Sequence, residues 1–145
     1  MELKEIKGNL FTSPVKNYCQ CISADFVMAA GIAVQFNSLF NTKENLIKRF
    51  DDCRASFKSM NGLCLQDGNV YNLVTKLNVW EKPTLLTMRN ALVDLKHKAA
   101  TNGVNEFSIP RIGCGIDGLD WEEVKEVIKD VFQDTETKFY CYYLG

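Results

Sequence analysis

Glu106-Phe107-Ser108-Ile109-Pro110-Arg111-Ile112-Gly113-Cys114-Gly115-Ile116-Asp117-Gly118-Leu119-Asp120-Trp121 is the stretch on which the fold turns. Its first four residues read as a short buried strand, stopped by Pro110. A glycine-rich run follows. Asp120 with Glu123 three residues later is a capping-box pattern that predicts a helix from Trp121 to Phe132. A strand, a glycine loop and a helix make one winding step of an α/β sheet.

The same step recurs earlier in the chain. Tyr18 to Ile22 reads as a strand, and small residues from Met28 lead into helical spacing that reaches Phe40. Lys43 to Cys53 is expected to be one further helix, with Leu46, Ile47 and Phe50 on one face. Leu63–Gln66 and Val70–Thr75 flank Asp67-Gly68-Asn69, a hairpin signal. Leu85, Met88, Leu92, Leu95 and Ala99 predict a helix that closes at Asn102-Gly103, while Leu3–Lys7 and Lys138–Leu144 supply the first and last strands. Strands alternating with helices, plus one antiparallel hairpin, predict an α/β fold of three layers (α/β/α) around a mixed sheet.

The chain has 145 residues, enough for one domain over 1–145 with a core that needs no disulfide or metal. Seventeen basic residues stand against eighteen acidic ones, so a polyanion held mainly by Coulomb attraction is not expected. The charged start, Met1 to Glu5, lacks the apolar core of a signal peptide, and no apolar run reaches the roughly 18 residues of a membrane span. A soluble protein of the cytoplasm or nucleus, without membrane association, is the expectation. Six cysteines are then thiols. There is no Cys-x-x-Cys and His97 is the only histidine, so no metal site is expected.

In an open α/β sheet, ligands bind beyond the carboxyl ends of the strands. Three features fall on that edge: Met28 to Ala33, Gly113-Cys114-Gly115, and Thr75-Lys76 at the end of the hairpin's second strand. Glycines at positive φ let backbone N–H groups approach a ligand and form an anion-binding concavity. Two such loops could hold two linked phosphates. A lone Gly-x-Gly serves equally as a tight turn, Asp117 as a turn residue that caps local N–H groups, and Lys76 as a solvated surface lysine. Beside bound phosphates, though, a lysine and a carboxylate supply a nucleophile or clamp together with a general acid/base. Glu122 and Glu123 in the first turn of the last helix oppose an anion on its axis, which favours the loop amides.

In order along the chain, Ile6 to Phe11, Cys21-Ile22-Ser23, Met28 to Ala33, Val74-Thr75-Lys76 with Lys82-Pro83-Thr84, and Ile109 to Trp121 resemble the macrodomain family, in particular its terminal ADP-ribose protein glycohydrolase branch. The resemblance runs from about residue 3 to the C-terminus. It implies a macrodomain that binds ADP-ribose and hydrolyses mono-ADP-ribose from acidic side chains of modified proteins, with no cofactor and no metal, as a monomer. ADP-ribose and ADP-ribosylated proteins are the implied partners; modified DNA is a less favoured substrate. Deacetylation of O-acetyl-ADP-ribose, dephosphorylation of ADP-ribose 1″-phosphate and noncatalytic reading of ADP-ribose are the alternatives.

By similarity, Lys76 is the nucleophile at the anomeric carbon of the distal ribose and Asp117 the acid/base. The ligand-binding set carried over is Asn9, Leu10, Ser23, Met28, Gly31, Ile32, Ala33, Thr75, Pro110, Ile112, Gly113, Cys114, Gly115 and Ile116. Two positions depart from the family pattern. Asn9 stands where an aspartate usually accepts from the adenine amino group, so modestly weaker adenine binding is expected. Ala29 replaces a glycine, which restricts the loop wherever that position needs positive φ.

Overall fold

A computed structural model describes residues 1–145. Six strands form one sheet: β1 (Glu2–Lys7), β2 (Tyr18–Ser23), β3 (Leu63–Asp67), β4 (Val70–Lys76), β5 (Glu106–Ile109) and β6 (Lys138–Tyr143). Their spatial order is β1-β6-β5-β2-β4-β3, parallel throughout except for the β3/β4 hairpin. The sheet is therefore mixed, as the alternation of strand and helix patterns predicts.

Five helices cover it: α1 (Ile32–Phe40), α2 (Thr42–Arg49), α3 (Cys53–Met60), α4 (Leu85–Asn102) and α5 (Trp121–Phe132). Helix α4 packs on β3, β4 and α5; α1 lies on β2, and α2 and α3 on β3. Sheet residues sort by pleat. Cys19, Tyr71, Leu73, Phe107 and Phe139 join Met88, Leu92, Val124 and Ile128 of α4 and α5 in one core. Ile22, Leu63, Leu65 and Val74 join Leu46, Cys53 and Phe57 of α2 and α3 in another. With both faces covered, β4 is buried from Val70 to Thr75 without alternation, as a central strand of an α/β sheet must be. No helix is long and apolar enough to cross a membrane.

One expected element differs. The helix expected over Lys43–Cys53 is two helices: α2 ends at Arg49, Phe50 turns out of the helical region (φ −134°, ψ 52°), and Cys53 opens α3. Asp51-Asp52 is the cause, since short carboxylate side chains compete for backbone N–H groups and favour turns. The apolar spacing of Leu46, Phe50, Cys53 and Phe57 runs straight across the break, so periodicity alone cannot reveal it.

Strand β5 pairs with β2 only at Ser108–Tyr18, and the chain leaves the sheet at Pro110 while β2 continues to Ser23. From this boundary, one half of the chain winds toward β6 and the other toward β4. It is the topological switch point of the sheet, where a crevice opens beyond the strand ends.

Candidate functional site

The crevice is a cleft of about 350 Å³ whose lining comes from all three carboxyl ends expected there. That volume lies within the range of ligand pockets, roughly 300–1,000 Å³. Ser23 from β2, Gly31, Ile32 and Ala33 from the entry to α1, Lys76 from β4, and Pro110, Ile112, Gly113, Gly115, Ile116 and Asp117 from the loop after β5 all line it. The two glycine loops thus meet at one rim of the sheet.

Gly31 carries φ 63° and ψ −150°, a region essentially reserved for glycine, and immediately precedes α1. Its conformation turns the chain so that α1 begins at the cleft, with Ile32 and Ala33 in the turn whose N–H groups have no intrahelical acceptor. No acidic residue occupies that first turn, whereas the first turn of α5 holds Glu122 and Glu123. An anion in the cleft is accordingly favoured by α1 rather than by α5. Ala29 lines the cleft and is not among the non-glycine residues at positive φ, which are Phe26, Asn41 and Asn61. The extra methyl in this loop therefore costs no backbone strain.

On the opposite wall Gly113 has φ 74°, and a Cβ there would lie 2.7 Å from Met88 Cε and 3.0 Å from Leu119 Cδ1. This glycine answers to packing as well as to its dihedral. Leu119 N–H donates back to Gly113 C=O (2.9 Å), which closes the loop onto the approach to α5. Asp120 Oδ2 accepts from Glu123 N–H, the first half of the expected capping box.

Lys76 and Asp117, 41 residues apart, meet at the mouth. Lys76 Nζ donates to Asp117 Oδ1 at 2.7 Å and to Val79 C=O at 2.9 Å, and the two side chains are only 10% and 18% exposed. An ammonium has three donors, so one is left after these bonds. Cys21 lies on the cleft floor; burial, then the neighbouring Asp117 and Cys114, push its thiol well above the ordinary range. Cys114 is pushed up to about 11, by burial and then by Asp120, and its Sγ donates to Ile112 C=O. Neither thiol is suited to act as a thiolate nucleophile.

The remaining carried-over residues are not part of this lining. Met28 is buried in the core of α2 and α3, and Leu10 packs with Tyr18, Phe36 and Val70 beneath Ile32. Thr75 is buried in β4 beside Lys76. Asn9 is exposed and caps the short 3₁₀ turn Leu10–Thr12, its Oδ1 accepting from Phe11 N–H at 2.9 Å. An amide oxygen has two acceptor sites, so one remains beyond the cap.

One organising residue has no place among the residues carried over from the sequence. Asp25 accepts from Ser23 Oγ and Val27 N–H (3.1 Å) with one oxygen and from Val79 N–H (2.9 Å) with the other. It ties the end of β2, the loop before α1 and the loop after Lys76 to a single carboxylate. Burial works to raise its pKa, but the hydrogen bonds from Ser23, Val79 and Val27 hold it below the ordinary value. The signal is Asp25 just past a strand end, whose carboxylate accepts from the Val27 N–H two residues on, an Asx-turn pattern. On the other side Lys82 donates to Ile116 C=O and bridges the loops that bear Lys76 and Asp117.

A comparison with protein-family models finds no match. Among curated proteins, the chain is 38% identical over 142 residues to human ADP-ribose glycohydrolase OARD1, covering 96% of this chain and 90% of that protein. It is 26% identical over 140 residues to the DNA ADP-ribosyl glycohydrolase of Thermus aquaticus, covering 92% of this chain but only 39% of that longer protein. Among solved structures, the macrodomain of Thermus aquaticus DarG superposes with a TM-score of 0.78 at 23% identity, over 97% of each chain. The near-complete relationship to OARD1, the shared DarG macrodomain fold, and a cleft at the sheet's switch point between two glycine loops lead to one assignment: this chain belongs to the macrodomain family.

Proposed function

We propose that this chain is an ADP-ribose glycohydrolase that removes mono-ADP-ribose from acidic side chains of modified proteins. The observation that carries the reading is the Lys76–Asp117 pair, 2.7 Å apart and largely shielded, at the mouth of a cleft walled by amide-rich glycine loops. The description of OARD1 as an ADP-ribose glycohydrolase supports it.

In this reading the N–H groups at the start of α1 and in the Gly113–Gly115 loop hold the diphosphate, and the distal ribose reaches the mouth. An amine attacks only when neutral, and the ammonium of Lys76 already shares a hydrogen bond with the carboxylate that can take its proton. The Nζ–C1″ bond forms as the ester C1″–O bond breaks, and the proton that Asp117 took from Lys76 passes to the departing carboxyl, which leaves as the free acid and restores the Asp117 carboxylate. Asp117 then takes a proton from the water that opens the adduct, returning Lys76 and releasing ADP-ribose. Leu10, Met28, Thr75 and Cys114 pack behind the amides, and Asn9 offers its remaining acceptor site to the adenine amino group.

The test is release of ADP-ribose from a glutamate-modified protein. Lys76→Ala and Asp117→Ala are each expected to lower kcat by about 10²-fold or more. Unchanged turnover in Lys76→Ala overturns the lysine mechanism. Binding of ADP-ribose with no turnover by the wild-type chain points to a reader instead, and a higher kcat/KM on O-acetyl-ADP-ribose or ADP-ribose 1″-phosphate to a small-molecule hydrolase.

A further inference from the structure

Trp80 is 75% exposed, yet the turn that carries it is pinned at every side. Asn78 N–H and Nδ2 both donate to Glu81 Oε1 (2.8 and 2.7 Å), Arg54 reaches Asn78 Oδ1 (2.8 Å), and Val79 donates to Asp25. Lys82 then fastens the loop to Ile116 C=O. A tryptophan held out in water on a fixed turn is the kind of side chain on which binding energy concentrates. Its neighbour Val79 accepts from Lys76, and Ile116, 68% exposed, lies on the facing loop one residue before Asp117. The two exposed apolar residues therefore flank the Lys76–Asp117 mouth, where a leaving group must sit.

We propose that Trp80 and Ile116 form the acceptor-side contact of this hydrolase, a platform for the polypeptide next to the ADP-ribosylated side chain. This rests on the glycohydrolase reading of the cleft. Charge selects polypeptide over nucleic acid. The charges around the mouth balance: Lys76 pairs with Asp117 and Arg111 with Glu5, while Lys82 and Arg54, hydrogen-bonded to neutral groups, are matched by nearby Glu81 and Asp25, so no excess of cations is left for a phosphate backbone. Exposed Glu81 beside the indole opposes a phosphate backbone.

The experiment compares wild type, Trp80→Ala and Trp80→Phe on three substrates: a glutamate-modified protein, O-acetyl-ADP-ribose and an ADP-ribosylated oligonucleotide. The ratio of kcat/KM on protein to kcat/KM on O-acetyl-ADP-ribose is expected to fall about tenfold in Trp80→Ala, mainly through KM, and to recover in Trp80→Phe. An unchanged ratio overturns the proposal, as does a loss seen only with the oligonucleotide. Wild type that turns over O-acetyl-ADP-ribose but no modified protein also overturns it. Wild type that shows no ADP-ribose binding by calorimetry fails the underlying reading of the cleft, and is distinguished by that measurement.

Discussion

Gly31 and Gly113 use the absence of a Cβ in different ways. At Gly31 an added Cβ meets nothing within 4 Å, so the only barrier to a side chain is the dihedral pair itself. Gly31→Ala is expected to cost about 1–3 kcal/mol if the loop keeps its shape. Because the loop is open and exposed, it can relax instead, and the loss then falls on the amides at the start of α1. ADP-ribose affinity measured by calorimetry should drop at least about tenfold, with only a small change in the urea midpoint. At Gly113 the new methyl would collide with Met88 and Leu119 as well as holding φ at 74°. Gly113→Ala should lower the unfolding free energy from urea melts by about 1–3 kcal/mol, as overpacking does. The two variants separate loop shape from core fit.

At the scale of elements, the cleft is an assembly of strand ends, and Asp25 is the group that joins them. Its pKa lies below the ordinary value of 3.8, through hydrogen bonds from Ser23, Val79 and Val27 that outweigh burial. A carboxyl that is lower in the folded state contributes stability above the unfolded pKa, and that contribution disappears as pH falls through the folded one. The stability difference between wild type and Asp25→Asn, from urea melts, should hold steady at neutral pH and narrow as pH is lowered below 3.8. A difference that stays constant down to pH 2 would show that the charge plays no part. The elements themselves were largely legible: β5 and α5 occupy the residues that Pro110 and Asp120 mark out, and the hairpin follows from Asp67-Gly68-Asn69. The break between α2 and α3 was not, because it is a turn inside an unbroken apolar spacing. The cap of α4 was hidden as well, since Thr87 rather than Glu or Gln returns the bond to Thr84.

Across the whole molecule, a sheet covered on both faces sets the chemistry of the six thiols, all of them free. Burial pushes Cys64 and Cys141 up to about 12 and Cys53 up to about 11, and lifts Cys19 well above the ordinary thiol range. Only the thiolate reacts, so the native chain at pH 8 should react with a disulfide reagent at least about 100-fold more slowly than the urea-unfolded chain, which should titrate six groups. Rapid labelling of several native thiols would contradict the two-sided core.

Local pattern determined the α/β alternation, the two glycine loops and the identity of Lys76 and Asp117 as candidates, because turn chemistry and side-chain period are written in neighbouring residues. The tertiary structure alone decided that Lys76 and Asp117 meet, that Asp25 and Lys82 brace the loops around them, and that Trp80 stands exposed beside them. Those contacts join residues up to 54 positions apart, and their geometry is fixed by the order in which strands enter the sheet, which no local pattern contains.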